Sequence, residues 1–174
     1  MQKKLLSVPL LLLMSCTAAA PKKKAENLYL IKYGEAGSGG YINQAGDTIV
    51  PAGKYEFCFT DTIRRLGMVS EKGTGKIMAI NPDAEVLFEV FNFDNGPDYP
   101  QEGLFRIIKD GRFGYADTAG NVVIEPRFAC AFPFENGRAR VADDCTTIPE
   151  IEHSSWASAN WYYVDREGKI RKDP

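Results

Sequence analysis

One β-rich unit is written four times along this chain, and that constrains its fold more than any other feature. The plan is clearest in the third copy. Arg112-Phe113-Gly114-Tyr115-Ala116-Asp117 sets aromatic residues two apart, so both rings face one side of a strand. Thr118-Ala119-Gly120 turns the chain, Asn121 to Glu125 is a β-branched strand, and Pro126 stops it. Phe128, Cys130, Phe132 and Phe134 then alternate with Ala129, Ala131 and Pro133, the period-two pattern of a half-buried strand. Asn136-Gly137 is a pair favoured in tight hairpins, and Asp110-Gly111 is a second two-residue turn at the entry to the copy. Arg138-Ala139-Arg140-Val141 begins the strand that leads onward.

The other copies keep the order. The first runs Gly40-Tyr41-Ile42-Asn43, Gly46, then Thr48-Ile49-Val50-Pro51, before Tyr55 and Phe57. The second runs Met78-Ala79-Ile80-Asn81, then Val86-Leu87-Phe88, before Phe91, Phe93 and Asn95-Gly96. The fourth runs Trp161-Tyr162-Tyr163-Val164-Asp165, then Gly168-Lys169-Ile170. Ile42, Ile80, Ala116 and Val164 align at spacings of 38, 36 and 48 residues. Units of that length cannot bury their apolar faces alone and need stacked neighbours. The expected fold is all-β: tandem antiparallel hairpins stacked as a twisted sheet or open solenoid, with a small propeller-like array as the alternative.

The third copy resembles the bacterial WG repeat. That pattern runs Trp-Gly-Tyr-Ile-Asp, a Gly turn, Val-Ile-Pro, and an aromatic stretch ending Phe-x-x-Gly. The matching residues are Phe113-Gly114-Tyr115-Ala116-Asp117, Gly120, Val123-Ile124-Glu125-Pro126 and Phe134-Glu135-Asn136-Gly137. The resemblance extends over about residues 28 to 172. The Trp-Gly pair itself is replaced by Gly39-Gly40, Ile77-Met78, Phe113-Gly114 and Trp161-Tyr162. The resemblance implies an all-β array without a defined enzyme activity, and it names no ligand.

The start of the chain reads as targeting. Lys3 and Lys4 precede an apolar run from Leu5 to Met14, which is too short for a membrane span of about 20 residues. Leu13-Met14-Ser15-Cys16 resembles a lipobox, which implies acylation of Cys16 and cleavage before it. Ordinary secretion, with Ala18-Ala19-Ala20 as the cleavage site, is the alternative, and Pro21 directly after that site disfavours it. The expected organisation is a signal peptide at 1–15, a tether at 16–27 and one domain at 28–174, with units at 28–65, 66–103, 104–141 and 142–174. Two acyl chains anchor stably where one does not. The expected location is a bacterial cell envelope, lipid-anchored, with the basic Lys22-Lys23-Lys24 tail leaning towards the periplasmic side.

The net charge of −2 becomes −4 once Lys3 and Lys4 leave with the signal peptide. That argues against nucleic acid, whose binders carry a basic patch. With Cys16 acylated, Cys58, Cys130 and Cys145 form an odd set, so at most one disulfide closes. Cys130 with Cys145 is the pair nearest in sequence. Three buried, unpaired thiols remain the alternative. No C-x-x-C and a single His make a zinc site unexpected, and no cofactor is indicated.

The copies differ most in the connection from Ala142 to Asn160, which is long enough to be functional or merely mobile. It supplies the candidate binding loop: Asp143, Asp144, Glu150, Glu152, His153 and Trp156, with Trp161 and Tyr162 beside it. Several other signals fail. Gly73-Thr74-Gly75-Lys76 lacks the spacing of a phosphate loop and reads as a hairpin turn. Asp94-Asn95-Gly96-Pro97-Asp98 lacks the ligand spacing of a calcium loop. His153 could join a triad only with the adjacent Ser154 or Ser155, which cannot easily reach in-line geometry. The expected protein is therefore not an enzyme. It is a noncatalytic scaffold for an envelope protein partner, or, as the alternative, a glycan-binding module using Trp156, Trp161 and Tyr162.

Overall fold

In the computed structural model the described residues are 26–32, 39–149 and 154–171. Their regular structure is entirely strand. The first unit holds β1 (Leu28–Lys32), β2 (Gly39–Ile42), β3 (Thr48–Val50), β4 (Tyr55–Cys58) and β5 (Thr62–Ile63). The second holds β6 (Gly67–Glu71), β7 (Ile77–Ile80), β8 (Val86–Val90), β9 (Asn92–Phe93) and β10 (Gly96–Pro97). The third holds β11 (Leu104–Lys109), β12 (Arg112–Asp117), β13 (Val122–Phe128) and β14 (Cys130–Glu135). β15 (Arg138–Ala142) leads onward to β16 (Thr146–Pro149), β17 (Ser154–Ala157), β18 (Tyr162–Asp165) and β19 (Ile170–Arg171).

Every pairing is antiparallel, and sheets cross the unit boundaries. The central sheet has seven strands in the order β13-β12-β11-β8-β7-β6-β4. It is flanked by two four-stranded sheets, β3-β2-β1-β5 and β14-β15-β18-β19, with β9–β10 and β16–β17 as separate ribbons. None of the described sheets closes into a barrel. Strand β4 of the first unit therefore pairs with β6 of the second, and β8 of the second with β11 of the third.

The core is segmented like the sequence. One cluster joins Leu28, Tyr41, Val50 and Ile63 to Val69 and Ile80 of the second unit. Another joins Ile77, Ala79 and Val90 to Phe105, Ile107 and Ala116 of the third. The last joins Tyr115, Ile124, Phe128 and Phe134 to Val141 and Val164. Each unit thus borrows apolar surface from its neighbour, the requirement that stacking meets.

Four turns prove the repeat. At Asn43, Asn81, Asp117 and Asp165 the backbone N–H donates to the carbonyl four residues on. The same residue's carbonyl accepts from the N–H of Gly46, Ala84, Gly120 or Gly168, all with positive φ. In each turn the side-chain oxygen also accepts from the N–H four residues on: Asp47, Glu85, Asn121 and Lys169. This is why Asn or Asp stands there, since a short side-chain acceptor closes the turn that the strands require.

The Gly-Tyr pair explains the best-preserved copies. A methyl added at Gly40 or Gly114 would fall within 3 Å of the backbone of residues 50–52 or 124–126, so only glycine admits the crossing strand. The next residue, Tyr41 or Tyr115, is fully buried. Its hydroxyl donates to Thr60 O at 2.7 Å or to Phe132 O at 2.6 Å, the partner that a buried phenol needs. Burial pushes both phenols well above their ordinary range. Met78 and Tyr162 occupy the glycine position in the other two copies.

Local patterning misled in three places. Pro126 does not stop its strand: β13 runs on to Phe128, which pairs with Phe113 after a register shift that accommodates the proline. The Phe128 to Phe134 alternation breaks at a bulge between Ala131 and Phe134, so Ala131 is buried while Phe132 turns partly outward. The β9–β10 hairpin turns on Asp94-Asn95, both at positive φ, one residue before the Asn-Gly pair. The two-residue turns at Asp110-Gly111 and Asn136-Gly137 form with both φ values positive.

Candidate functional site

The long connection is a built element. Its centre is the β16–β17 ribbon, paired from Thr146↔Ala157 to Pro149↔Ser154. Cys130 on β14 is bonded to Cys145 at the foot of the ribbon, with a Cα separation of 6.0 Å. Cys58 remains a buried free thiol, which burial holds above its ordinary pKa range. The odd cysteine count thus resolves as one bridge and one small core residue.

The candidate residues divide. Asp143 accepts the Tyr162 hydroxyl at 2.7 Å, and its carbonyl accepts from Arg112 at 2.9 Å. Burial, then the hydrogen bond and charge of Asp143, push the Tyr162 phenol up to about 12. Asp144 accepts from Ser158 Oγ at 3.1 Å and from Asn160 Nδ2 at 3.3 Å. Both carboxylates therefore fasten the foot of the insertion. Trp156 folds back under the ribbon, with ring centroids 5.1 Å from Phe113, 5.6 Å from Phe132 and 5.8 Å from Phe91. Glu150, Glu152 and His153 lie outside the described residues, as does Cys16. Among the described residues no group of three or more His, Cys, Asp or Glu is placed to hold a metal ion.

Trp161 meets a feature that motif reading missed. On the outward face of β14, β15 and β18, Phe132, Pro133, Glu135, Asn136, Arg138, Arg140 and Tyr163 line a cleft of about 390 Å³. The Arg140 guanidinium lies 4.2 Å from the Phe132 ring and 4.9 Å from the Trp161 ring. Arg138 lies 4.4 Å from the Tyr163 ring. Such stacking is worth about 0.5–1 kcal/mol at exposed sites and fixes where each charge points. The signal was present as Arg-Ala-Arg, two cations on one face of a strand, but only the pairing of β15 with β18 reveals the rings beside them.

A second arginine constellation is internal. Arg106 and Asp98 are both about 4% exposed. Arg106 Nε donates to Asp98 Oδ2 at 2.8 Å and Nη2 to Oδ1 at 2.5 Å, a bidentate pair. Its backbone N–H also donates to Asp98, and Nη1 reaches Ala131 O at 3.3 Å. The guanidinium stacks on Phe91 at 4.5 Å. Asp98 is thus committed to an ion pair.

An open all-β array of antiparallel hairpins, with one copy carrying a hairpin insertion beside a cationic cleft, defines the class. Residues 113–144, the third unit from its Phe-Gly pair to the foot of the insertion, match the family model described as the WG containing repeat. No curated protein and no solved structure matches the chain.

Proposed function

We propose that this protein is a noncatalytic WG-repeat scaffold, held in a bacterial envelope by lipid on Cys16 and docking an envelope protein through the insertion and the cleft beside it. One observation carries the reading. The insertion is pinned at its foot by Cys130–Cys145 and at its return by Trp156, while all four residues of β16 are exposed. A projecting element already held in shape loses little freedom on binding, which is how a rigid loop gains affinity. The N-terminal Leu-Met-Ser-Cys motif supports the anchor, and the basic tail after it supports a periplasmic orientation.

The test is capture from solubilised envelope by two chains, one complete and one with residues 149–154 replaced by a two-residue turn. Cys145 and Trp156 stay in both, so the array keeps its bridge and its aromatic cluster. Loss of a captured protein with the shortened chain supports the scaffold, and an identical set from both removes the ribbon from the site. Radiolabelled palmitate incorporation that survives Cys16→Ala would exclude the anchor. Glycan binding is the second reading, favoured by Tyr163 and Glu135 in the cleft and by Trp161 against its Arg140. Soluble envelope glycan fragments that compete with the captured protein would favour it.

A further inference from the structure

Arg106 and Arg140 hold the same place in the repeat. Arg106 pairs across the sheet with Tyr115 and Arg140 with Tyr163, and these two tyrosines stand 48 residues apart, as do the turns at Asp117 and Asp165 that follow them. Each guanidinium stacks on a phenylalanine of the neighbouring segment, Phe91 or Phe132. In Leu30 and Met68 the first two units carry apolar residues at this position. The two arginines differ in one respect. Arg106 is buried and takes both oxygens of Asp98. Arg140 is exposed, and its partners among the described residues are the Phe132 and Trp161 rings alone.

We propose that Arg140, held against the adjoining rings of Phe132 and Trp161, is the anchor of a docking site that accepts a carboxylate from an acidic segment of a protein partner. The proposal rests on the scaffold reading and names the chemistry of its partner. The array itself shows what this position takes, because one repeat earlier the same stacked guanidinium is completed by a carboxylate. A planar guanidinium held against rings keeps its N–H edge available, and that edge fits a carboxylate bidentately. Arg138, stacked on Tyr163, lines the same cleft. The positive charge of Arg140, exposed on this face, attracts an acidic segment.

The probes are a short synthetic peptide alternating Glu with Ser and its Gln-for-Glu counterpart, titrated against the full chain and followed by tryptophan fluorescence. The Glu peptide is expected to bind about tenfold or more tightly than the Gln peptide, with affinity falling as salt rises. Arg140→Gln is expected to remove that difference, and Arg140→Lys to keep only part of it, since an ammonium cannot reproduce the fork. Arg140 is exposed, so the variants retain the array, which far-ultraviolet circular dichroism checks. Equal binding of the two peptides, or undiminished Glu-peptide binding by Arg140→Gln, overturns the proposal. Arg140-dependent binding of polygalacturonate or anionic lipid vesicles without peptide binding also overturns it and reassigns the ligand. Envelope capture separates the two readings. A partner retained equally by Arg140→Gln sinks the anchor and leaves the scaffold, and no captured partner for either chain sinks both.

Discussion

The third unit and the fourth, counted from its entry strand β15 rather than from residue 142, share one frame and use it oppositely. Their turns at Asp117 and Asp165 make the same backbone hydrogen bonds, and their arginines face tyrosines in the same register. In the third unit the arginine is sealed, paired and structural. In the fourth it stands in a cleft on the unit that carries the β16–β17 hairpin. A repeat can therefore conserve its geometry while moving one residue from core to surface, and the difference lies in what the next segment supplies. Asp98 and β14 cover Arg106, whereas the long connection places Trp161 rather than a carboxylate against Arg140.

The largest expected contrast follows from that difference. Asp98→Ala leaves a buried guanidinium without its counter-charge and should cost about 3–5 kcal/mol in urea unfolding. Arg140→Ala should change stability by less than about 1 kcal/mol. Comparable losses at both would break the distinction between a structural and a docking arginine. Next, removing the Cys130–Cys145 bridge, which spans 15 residues, should cost about 3 kcal/mol. Hydrogen exchange should then rise in β16–β17 before it rises in β6–β8, and uniform acceleration would show that the ribbon is not independently pinned. Somewhat smaller is Gly114→Ala, whose methyl would meet the backbone at Ile124 and Pro126. It should destabilise by about 2–3 kcal/mol, while the same change at Gly46, where nothing lies within 4 Å, should cost only the strain of its positive φ.

The smallest effect is a pH dependence. Hydrogen bonds from Asn121 hold the Asp117 carboxyl below the usual range, and those from the Lys169 and Glu167 N–H groups, with Arg171 nearby, do the same for Asp165. A depressed folded-state pKa means stabilisation that is complete above the unfolded value of about 4 and fades as pH falls towards the folded one. Acid should therefore weaken the third and fourth turns, while Asn43 and Asn81 leave the first two without this titration. Asp117→Asn with Asp165→Asn should flatten thermal stability between pH 5 and pH 2 (about the range over which such carboxylates titrate). An unchanged slope in that double variant would show that these turns do not set the acid limit.

Much of the fold was legible because it is local. Asn or Asp before a Gly, aromatics two apart, and Val-Ile-x-Pro each report a backbone requirement at one position, and repetition at 38, 36 and 48 residues multiplies the signal. The bulge that turns Phe132 outward was not legible, since a bulge leaves no period of its own. Nor was the role of the candidate loop. The sequence offered Asp143, Asp144 and Trp156 as binding residues, and it did not show their internal contacts with Tyr162, Ser158 and Phe113.

By itself, the amino-acid sequence determined that the regular structure of the described residues is strand, that the units must stack, and where the four Asn or Asp turns fall. These follow from side-chain size, branching and hydrogen-bonding capacity within a few residues. Only the tertiary structure decided that units share sheets, that Cys130 meets Cys145, and that Arg106 is closed by Asp98 while Arg140 stays open. Identical strand patterns carry no record of which neighbour lies across the sheet. The fate of a charged side chain depends on the counter-charge and burial that neighbour brings.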